Sequence, residues 1–293
     1  MKPAPFHYHA PSTRMEALQL LTELEDARVL AGGQSLVPML NLRLAAPENL
    51  IDLNGVADLA GIIMEGGRLT IGAMTRQRHG ERSGLVREAC PLLAHALSHV
   101  GHQQTRNRGT IGGSIAHMDP TAELPVVACA MDAVVVLESA SGTREVPFAQ
   151  WSDGYLATAI GPGEIVAAIA FPCWPAGHGW AFEEVTRRGE GYSIVSVVAL
   201  LSMGADGTVD RCAIAIGGLG AAPVRANAAE AVLTGVAPGD EAIAQAGEAA
   251  SELEAEGDLY AHEAFKRHLA KQLTLRALRS ARDRAHAGGT GHG

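Results

Sequence analysis

The apolar positions of this chain fall into blocks whose spacing changes along its length. After Ser12 or Thr13, either of which can cap a helix, Met15, Leu18, Leu21 and Leu24 share one side, which predicts a helix through about Asp26. Val29-Leu30-Ala31 reads as a short strand ending at Gly32-Gly33, and Leu50 to Leu53 as a short buried strand. Ile62 to Met64 and Leu69 to Ile71 flank Glu65-Gly66-Gly67, the pattern of a hairpin. Helices are expected over 75–88 and 91–100, then a second glycine-rich segment from Gly109 to Ala116. Ala122 to Met131 reads as a helix with Pro125 near its first turn, where a missing N–H costs little. Ala133 to Leu137 is an unbroken apolar, largely β-branched run and predicts a buried strand. Ser141-Gly142 turns the chain, and Ile165 to Phe171 predicts another strand.

Pro172-Cys173-Trp174-Pro175-Ala176-Gly177-His178-Gly179 is the densest group of breakers in the interior, and the domain boundary is placed there. Three strand-like runs follow, Trp180 to Arg187, Ser193 to Met203 and Arg211 to Leu219, with Asp206-Gly207 as the hairpin turn between the last two. The pattern then turns helical over 226–234, 239–254 and 262–285, and ends in GGTGHG, too rich in glycine to order itself. Strands followed by helices predict an α+β C-terminal domain whose three-stranded antiparallel sheet is covered by helices. The division expected is 1–175, 176–285 and a flexible tail at 286–293.

Composition narrows the class. With 293 residues, 47% hydrophobic and 19% charged, the chain is neither disordered nor coiled coil and can bury a sizeable core. No apolar run reaches the roughly eighteen residues of a membrane span, and MKPAPFHYHAPST lacks the apolar core of a secretory leader, which predicts a cytoplasmic protein. A net charge of −9 argues against a general nucleic-acid binder, which needs a basic stripe. Cys90, Cys129, Cys173 and Cys212 are separated by 39, 44 and 39 residues, so neither a zinc ribbon nor an iron–sulfur site is indicated. They read as small buried apolar residues.

The chemistry-bearing signal is a pair of glycine segments. Ala31-Gly32-Gly33-Gln34-Ser35-Leu36 directly follows a strand, and Gly109-Thr110-Ile111-Gly112-Gly113-Ser114 repeats the theme of paired glycines beside a small hydroxyl residue. Without a Cβ, backbone amides can approach a phosphate closely, and Ser35, Thr110 and Ser114 can add hydroxyl donors. Two such loops could clamp the two phosphates of one dinucleotide. Neither is GxGxxG in a βαβ unit with a following acidic residue, so a Rossmann NAD site is not supported.

These residues carry a resemblance. VLAGGQSLVPMLNLRLAAPENLIDL, from Val29 to Leu53, resembles the first FAD loop of the flavoprotein (medium) subunits of molybdenum hydroxylases. Arg106 to Pro120, RNRGTIGGSIAHMDP, resembles the second, at the family's spacing. The group includes aerobic carbon monoxide dehydrogenase, xanthine dehydrogenase and bacterial N-heterocycle hydroxylases. The likeness continues through Gly154 to Ile160, Arg187 to Tyr192 and Asp258 to Leu278, nearly the whole chain. It implies a PCMH-type, vanillyl-alcohol-oxidase-like FAD domain of two α+β subdomains and the C-terminal domain described above. It also implies that Ala31, Gly32, Gly33, Gln34, Ser35 and Leu36 with Thr110, Ile111, Gly112, Gly113 and Ser114 hold the FAD pyrophosphate through backbone amides. Asp119 matches an acidic position near the ribose, although an Asx turn before Pro120 is the plainer reading of that residue. Tyr192 matches an aromatic position near the isoalloxazine ring, although a lone Tyr at a strand start is ordinarily packing.

By the same resemblance the chain passes electrons from two [2Fe–2S] clusters on a small subunit, through FAD, to an external acceptor. Substrate is oxidised at a molybdopterin cofactor on a large subunit, in a dimer of three-chain units. Several positions depart from the family pattern. Gly191-Tyr192-Ser193 stands where Gly-Asp-aromatic-Ala is usual, with Glu190 ahead of the glycine, and Thr105 and Met118 replace an aliphatic residue and an alanine. Gln34 and Ser114 stand where carbon monoxide dehydrogenases tend to carry His and Asn, which tilts the expectation toward an organic substrate such as an N-heterocycle or aldehyde. Two other readings remain open at this point: a self-contained FAD-dependent reductase or oxidase of the same fold, and a nucleotide-binding regulatory module.

Two further features lie outside that pattern. His95, His99 and His102 fall on one helix face at a spacing that could ligate a metal, but more simply lie at a surface or an interface. Arg76, Arg78, Glu81 and Arg82 read as a solvated helix face. No nucleophile elbow or catalytic triad is present, and no catalytic residue is assigned in this chain.

Overall fold

Thr13 caps the first helix by accepting the Glu16 amide, while the Glu16 carboxylate reaches back to the Ser12 amide at 2.8 Å. The computed structural model that contains it describes residues 1–189 and 191–289. The N-terminal layer consists of β1 (His7–His9), α1 (Arg14–Glu23), β2 (Ala27–Leu30), α2 (Leu36–Asn41) and β3 (Asn49–Asp52). Its strands form a parallel sheet in the order β1-β3-β2. The core beneath it holds Ala17, Leu18, Ile51, Leu53 and Leu59.

The second layer begins with the expected hairpin, β4 (Ile62–Glu65) and β5 (Arg68–Gly72). The two helices expected over 75–100 are three: α3 (Gln77–Arg82), α4 (Gly84–Ala89) and α5 (Pro91–His99). The first break has a local cause, because the Ser83 hydroxyl caps a new helix by accepting the Val86 amide. Then come α6 (Gln103–Arg108), α7 (Ile111–His117), α8 (Glu123–Ala130), β6 (Val134–Ser139), β7 (Gly142–Pro147), β8 (Ser152–Gly154), β9 (Ala157–Thr158) and β10 (Ile165–Pro172). The main sheet is antiparallel in the order β4-β5-β10-β6-β7. Trp151 is fully buried beneath this layer, and its indole N–H donates to the Ile115 carbonyl at 2.9 Å, fixing α7.

The C-terminal layer comprises β11 (Gly179–Thr186), β12 (Ser193–Met203), β13 (Val209–Gly217), β14 (Val224–Arg225), α9 (Asn227–Leu233), α10 (Asp240–Ser251) and α11 (Glu263–Gly289). The three long strands lie as expected, but the sheet has four members, because β14 adds to the edge of β13. Two residues are too short to leave a period in the sequence. The last helix runs four residues past position 285, and residues 290–293 of the expected tail lie outside the described residues.

β12 is buried along nearly its whole length because both its faces are covered. Val195, Val197, Ala199 and Leu201 pack under the C-terminal helices, whereas Val198 and Leu200 join the core of the second layer. The two layers therefore share one core across the seam where α5 and α8 meet β11, β12 and β13.

Candidate functional site

The first glycine segment leaves β2 and turns into α2. Gly33 has φ +75°, a conformation that penalises any Cβ. A Cβ on Gly32 would stand 2.2 Å from the carbonyl oxygen of Arg108 and 2.7 Å from the Cα of Gly109. The two loops thus touch backbone to backbone across 76 residues of sequence, from Gly32 to Arg108. Ser35 stands at the N-cap of α2 without a side-chain cap bond, so its hydroxyl is uncommitted at the helix start. Gln34 is exposed, and its amide nitrogen lies 3.4 Å from the Gly32 carbonyl.

The second segment leaves α6 and enters α7 through Gly109 and Thr110. The Ile111 amide donates to Thr75 (3.0 Å), Gly112 to Ala73 (2.9 Å), Gly113 to the Thr110 hydroxyl (3.1 Å) and Ser114 to the Thr110 carbonyl (3.2 Å). Each of the amide hydrogens of residues 111–114 therefore has an acceptor within the chain, which fixes the loop's shape. The glycines also serve packing. A Cβ on Gly112 would lie 2.4 Å from that of Ala73, and one on Gly113 would lie 2.6 Å from the Thr110 hydroxyl.

Arg76 fastens the junction and was missed in the sequence. It is the N-cap residue of α3, not part of a solvated face, because Arg76 pairs as an isolated β-bridge with Thr110. Its guanidinium donates to the Arg108 carbonyl and, at 2.6 Å, to the side-chain oxygen of Asn54, whose amide in turn donates to Ala31 at 2.8 Å. One side chain therefore joins both loops. Arg78 and Arg106 both bond Glu81, at 2.6 and 2.9 Å, bracing α3 against the segment that leads into the second loop. Only Arg82 of the four charged residues is exposed as expected. A run of arginines beside glycine loops is the signal that could have pointed to such bracing.

Past α7 the chain reaches the seam. Asp119 accepts the Thr121 amide (2.9 Å) and hydroxyl (2.7 Å) through one carboxylate oxygen, so the Asx turn before Pro120 is present. Tyr192 is 81% exposed, and Glu190 lies outside the described residues. The Tyr192 phenol is raised above its ordinary value, by desolvation first and then by the Asp119 and Glu123 carboxylates. Glu123, an acid buried at the head of apolar α8, has its carboxyl pushed up to about 7, chiefly by burial. His99 meets Glu184 at 3.0 Å across the seam, and that bond raises the imidazole. The His95 ring packs on His99 and Trp180, with centroids 4.9 and 5.4 Å away. His95 and His99 are thus interface residues. Glu184 Oε2, Ser193 Oγ and Ser196 Oγ are buried here without partners among the described residues.

The structure brings Ala31 through Leu36 together with Thr110 through Ser114. Asp119 and Tyr192 lie at the far end, beyond α7. Neither α2 nor α7 carries an acid in its first turn, and Arg76 and Arg108 add positive charge, so this end suits an anionic pyrophosphate. The donor set and the bare glycine junction fit an FAD.

Comparison with known proteins agrees with this geometry. The family model for the FAD binding domain in molybdopterin dehydrogenase matches residues 4–174, and that for the CO dehydrogenase flavoprotein C-terminal domain matches residues 180–281. The chain is 38% identical to the 6-hydroxypseudooxynicotine dehydrogenase complex subunit alpha of Paenarthrobacter nicotinovorans over 85% of each chain. A carbon monoxide dehydrogenase from Hydrogenophaga pseudoflava, lacking the Mo-pyranopterin moiety of its molybdenum cofactor, superposes with a TM-score of 0.93. Identity is 40% over 97% of this chain and 99% of that one. Quinoline 2-oxidoreductase from Pseudomonas putida 86 superposes equally well, with a TM-score of 0.93 and 36% identity over 97% and 99% of the two chains. With both halves matched and the likeness running nearly end to end, the chain belongs to the FAD-binding medium subunits of the molybdenum hydroxylase family, oxidoreductase flavoproteins that include the carbon monoxide dehydrogenase medium chains.

Proposed function

We propose that this chain is the electron-transfer subunit of a three-component hydroxylase acting on an organic substrate such as an N-heterocycle or aldehyde. Its partners are a small subunit carrying two [2Fe–2S] clusters and a large subunit carrying the molybdopterin cofactor, assembled as a dimer of heterotrimers in the cytoplasm. Residues 1–175 form the FAD-binding unit and 176–285 the C-terminal unit. The observation that carries this reading is the backbone contact between Gly32 and Arg108–Gly109, which makes one seat from two loops.

Bound FAD supplies the step from single-electron iron–sulfur chemistry to an acceptor that takes electrons singly or in pairs. The chain's own residues do the rest. Ser35 and Ser114 offer hydroxyl donors to the pyrophosphate, and Arg76 keeps the loops in register. Asp119 offers an acceptor for ribose hydroxyls, and Tyr192 covers the ring end. No residue of this chain acts on the organic substrate. The substrate class is supported by Gln34 and Ser114 standing in place of His and Asn, and by relatives named for 6-hydroxypseudooxynicotine, caffeine and nicotine.

The test is purification of the tagged chain from its host, with an absorption spectrum, iron and molybdenum analysis, and a turnover screen of N-heterocycles, aldehydes and CO. Flavin and iron–sulfur absorbance with two further chains and turnover of an organic substrate is the expected result. A lone flavoprotein that turns over unaided would replace this reading with a self-contained reductase. Turnover of CO alone would overturn the substrate assignment.

A further inference from the structure

Lys266, in the first turn of α11, is only 5% exposed. Its ammonium lies 2.8 Å from the Gly218 carbonyl and 2.8 Å from a carboxylate oxygen of Asp258. Burying an ammonium costs several kcal/mol unless its partners are well placed, so those partners define what the charge holds. Asp258 uses its other oxygen to accept the amides of Tyr260 and Ala261, at 2.7 and 2.9 Å, and the Glu256 amide donates to Leu219 at 2.7 Å. The 256–261 loop and the turn after β13 are thereby tied to the same ammonium.

That turn reaches the flavin side of the molecule. Gly218 has φ +87°, and its amide donates to the Pro120 carbonyl at 2.8 Å. A Cβ on Gly218 would stand 2.3 Å from the carbonyl oxygen of Ile194. One residue thus has its carbonyl held by Lys266, its amide holding Pro120, and its bare Cα face pressed on Ile194. Pro120 follows Asp119 at the exit of the second loop, and Ile194 is two residues beyond Tyr192.

We infer that Lys266 is a positioning residue for the FAD site. It acts through the Gly218 turn on the Asp119–Pro120 exit and on the Tyr192 segment, so that the C-terminal helix governs FAD affinity without touching FAD. The inference rests on the reading that these two segments border the bound cofactor. A lysine that merely stabilised the C-terminal layer would lower the melting temperature and leave FAD affinity unchanged.

The experiment is FAD titration by calorimetry of the assembled complex, purified with its partner chains and stripped of flavin, well below each variant's melting temperature, for wild type, Lys266→Met, Lys266→Arg, Asp258→Asn and Gly33→Val. Hydrogen exchange of the FAD-free proteins provides a second readout. Lys266→Met is expected to weaken FAD about tenfold and to speed exchange at the Gly218 amide and in the 192–195 segment. Lys266→Arg keeps donors for the same carbonyl and carboxylate and should restore most of the affinity. Asp258→Asn should fall between them, and it carries the test if Lys266→Met does not fold. Gly33→Val forces a β-branched residue into a left-handed conformation and tests the loop reading independently. Wild-type affinity in Lys266→Met and Asp258→Asn, with binding lost in Gly33→Val, overturns the inference and leaves the loop site standing. Unchanged affinity in all of them, Gly33→Val included, overturns both.

Discussion

Glu123→Gln tests the seam with a magnitude that the structure supplies. Glu123 is 8% exposed, and its carboxyl is pushed up from 4.5 to about 7. Burial is the main cause. The Glu184 and Asp119 carboxylates push it further, while a bond to its own backbone amide and the nearby His99 pull it down. The folded chain therefore keeps a proton that the unfolded chain releases as pH rises past 4.5. Its contribution to stability is complete below that pH and is lost as pH climbs through about 7. At about 1.36 kcal/mol per pH unit, the interval amounts to roughly 3 kcal/mol.

His99, raised by its bond to Glu184, adds a loss of the same sign beginning above its ordinary value. His95, lowered by burial and then by His99 and Arg284, works in the opposite sense. The wild-type profile is thus a sum, and the informative quantity is the difference between wild type and Glu123→Gln. Glutamine matches the neutral acid in shape and does not titrate. Urea unfolding of the FAD-free proteins across the window should show a constant difference below about pH 4. It should then grow in favour of glutamine between 4.5 and about 7, reaching roughly 3 kcal/mol and levelling off above that. A flat difference across that range, or one that grows in favour of glutamate, would refute the account of Glu123 as a buried proton-holding acid.

Three other outcomes follow from the junction and the core. Gly32→Ala places a methyl 2.2 Å from the Arg108 oxygen and should cost about 1–3 kcal/mol of stability in urea unfolding while weakening FAD binding in the same preparation. Arg76→Met removes the donor to Asn54 and Arg108 and should cost about 1–2 kcal/mol, because the guanidinium keeps some water contact; FAD affinity should fall more than the melting temperature alone would suggest. Among the four cysteines, Cys90 and Cys129 are pushed up to about 12 by burial and Cys212 higher still, while Cys173 is raised less because it is less buried, so a thiol reagent should label Cys173 first, slowly at neutral pH, and the other three only when the chain is unfolded.

What the sequence disclosed and what it withheld divide along a physical line. The 62–71 hairpin, the long apolar run of β12 and the capped start of α1 were legible because each depends on neighbours within a few residues. β1 gave no signal, since three residues paired in parallel with β3 carry no period of their own. The extended start at Arg76 was hidden in a helical pattern because what holds it open is Thr110, 34 positions on. Glu123 was legible only as one more helical residue, because its burial comes from a seam formed with strands some sixty positions away. The sequence offered the glycine loops as a phosphate cradle, whereas the contacts that a Cβ would meet at Gly32 and Gly112 are Arg108 and Ala73, which no local pattern announces. The two demands converge on the same residues. A seat for a dinucleotide built from two distant loops needs those loops to meet closely, and in this geometry a Cβ on Gly32 would collide with the Arg108 carbonyl. Gly32 therefore reports the junction first, and the proposed FAD seat depends on that junction.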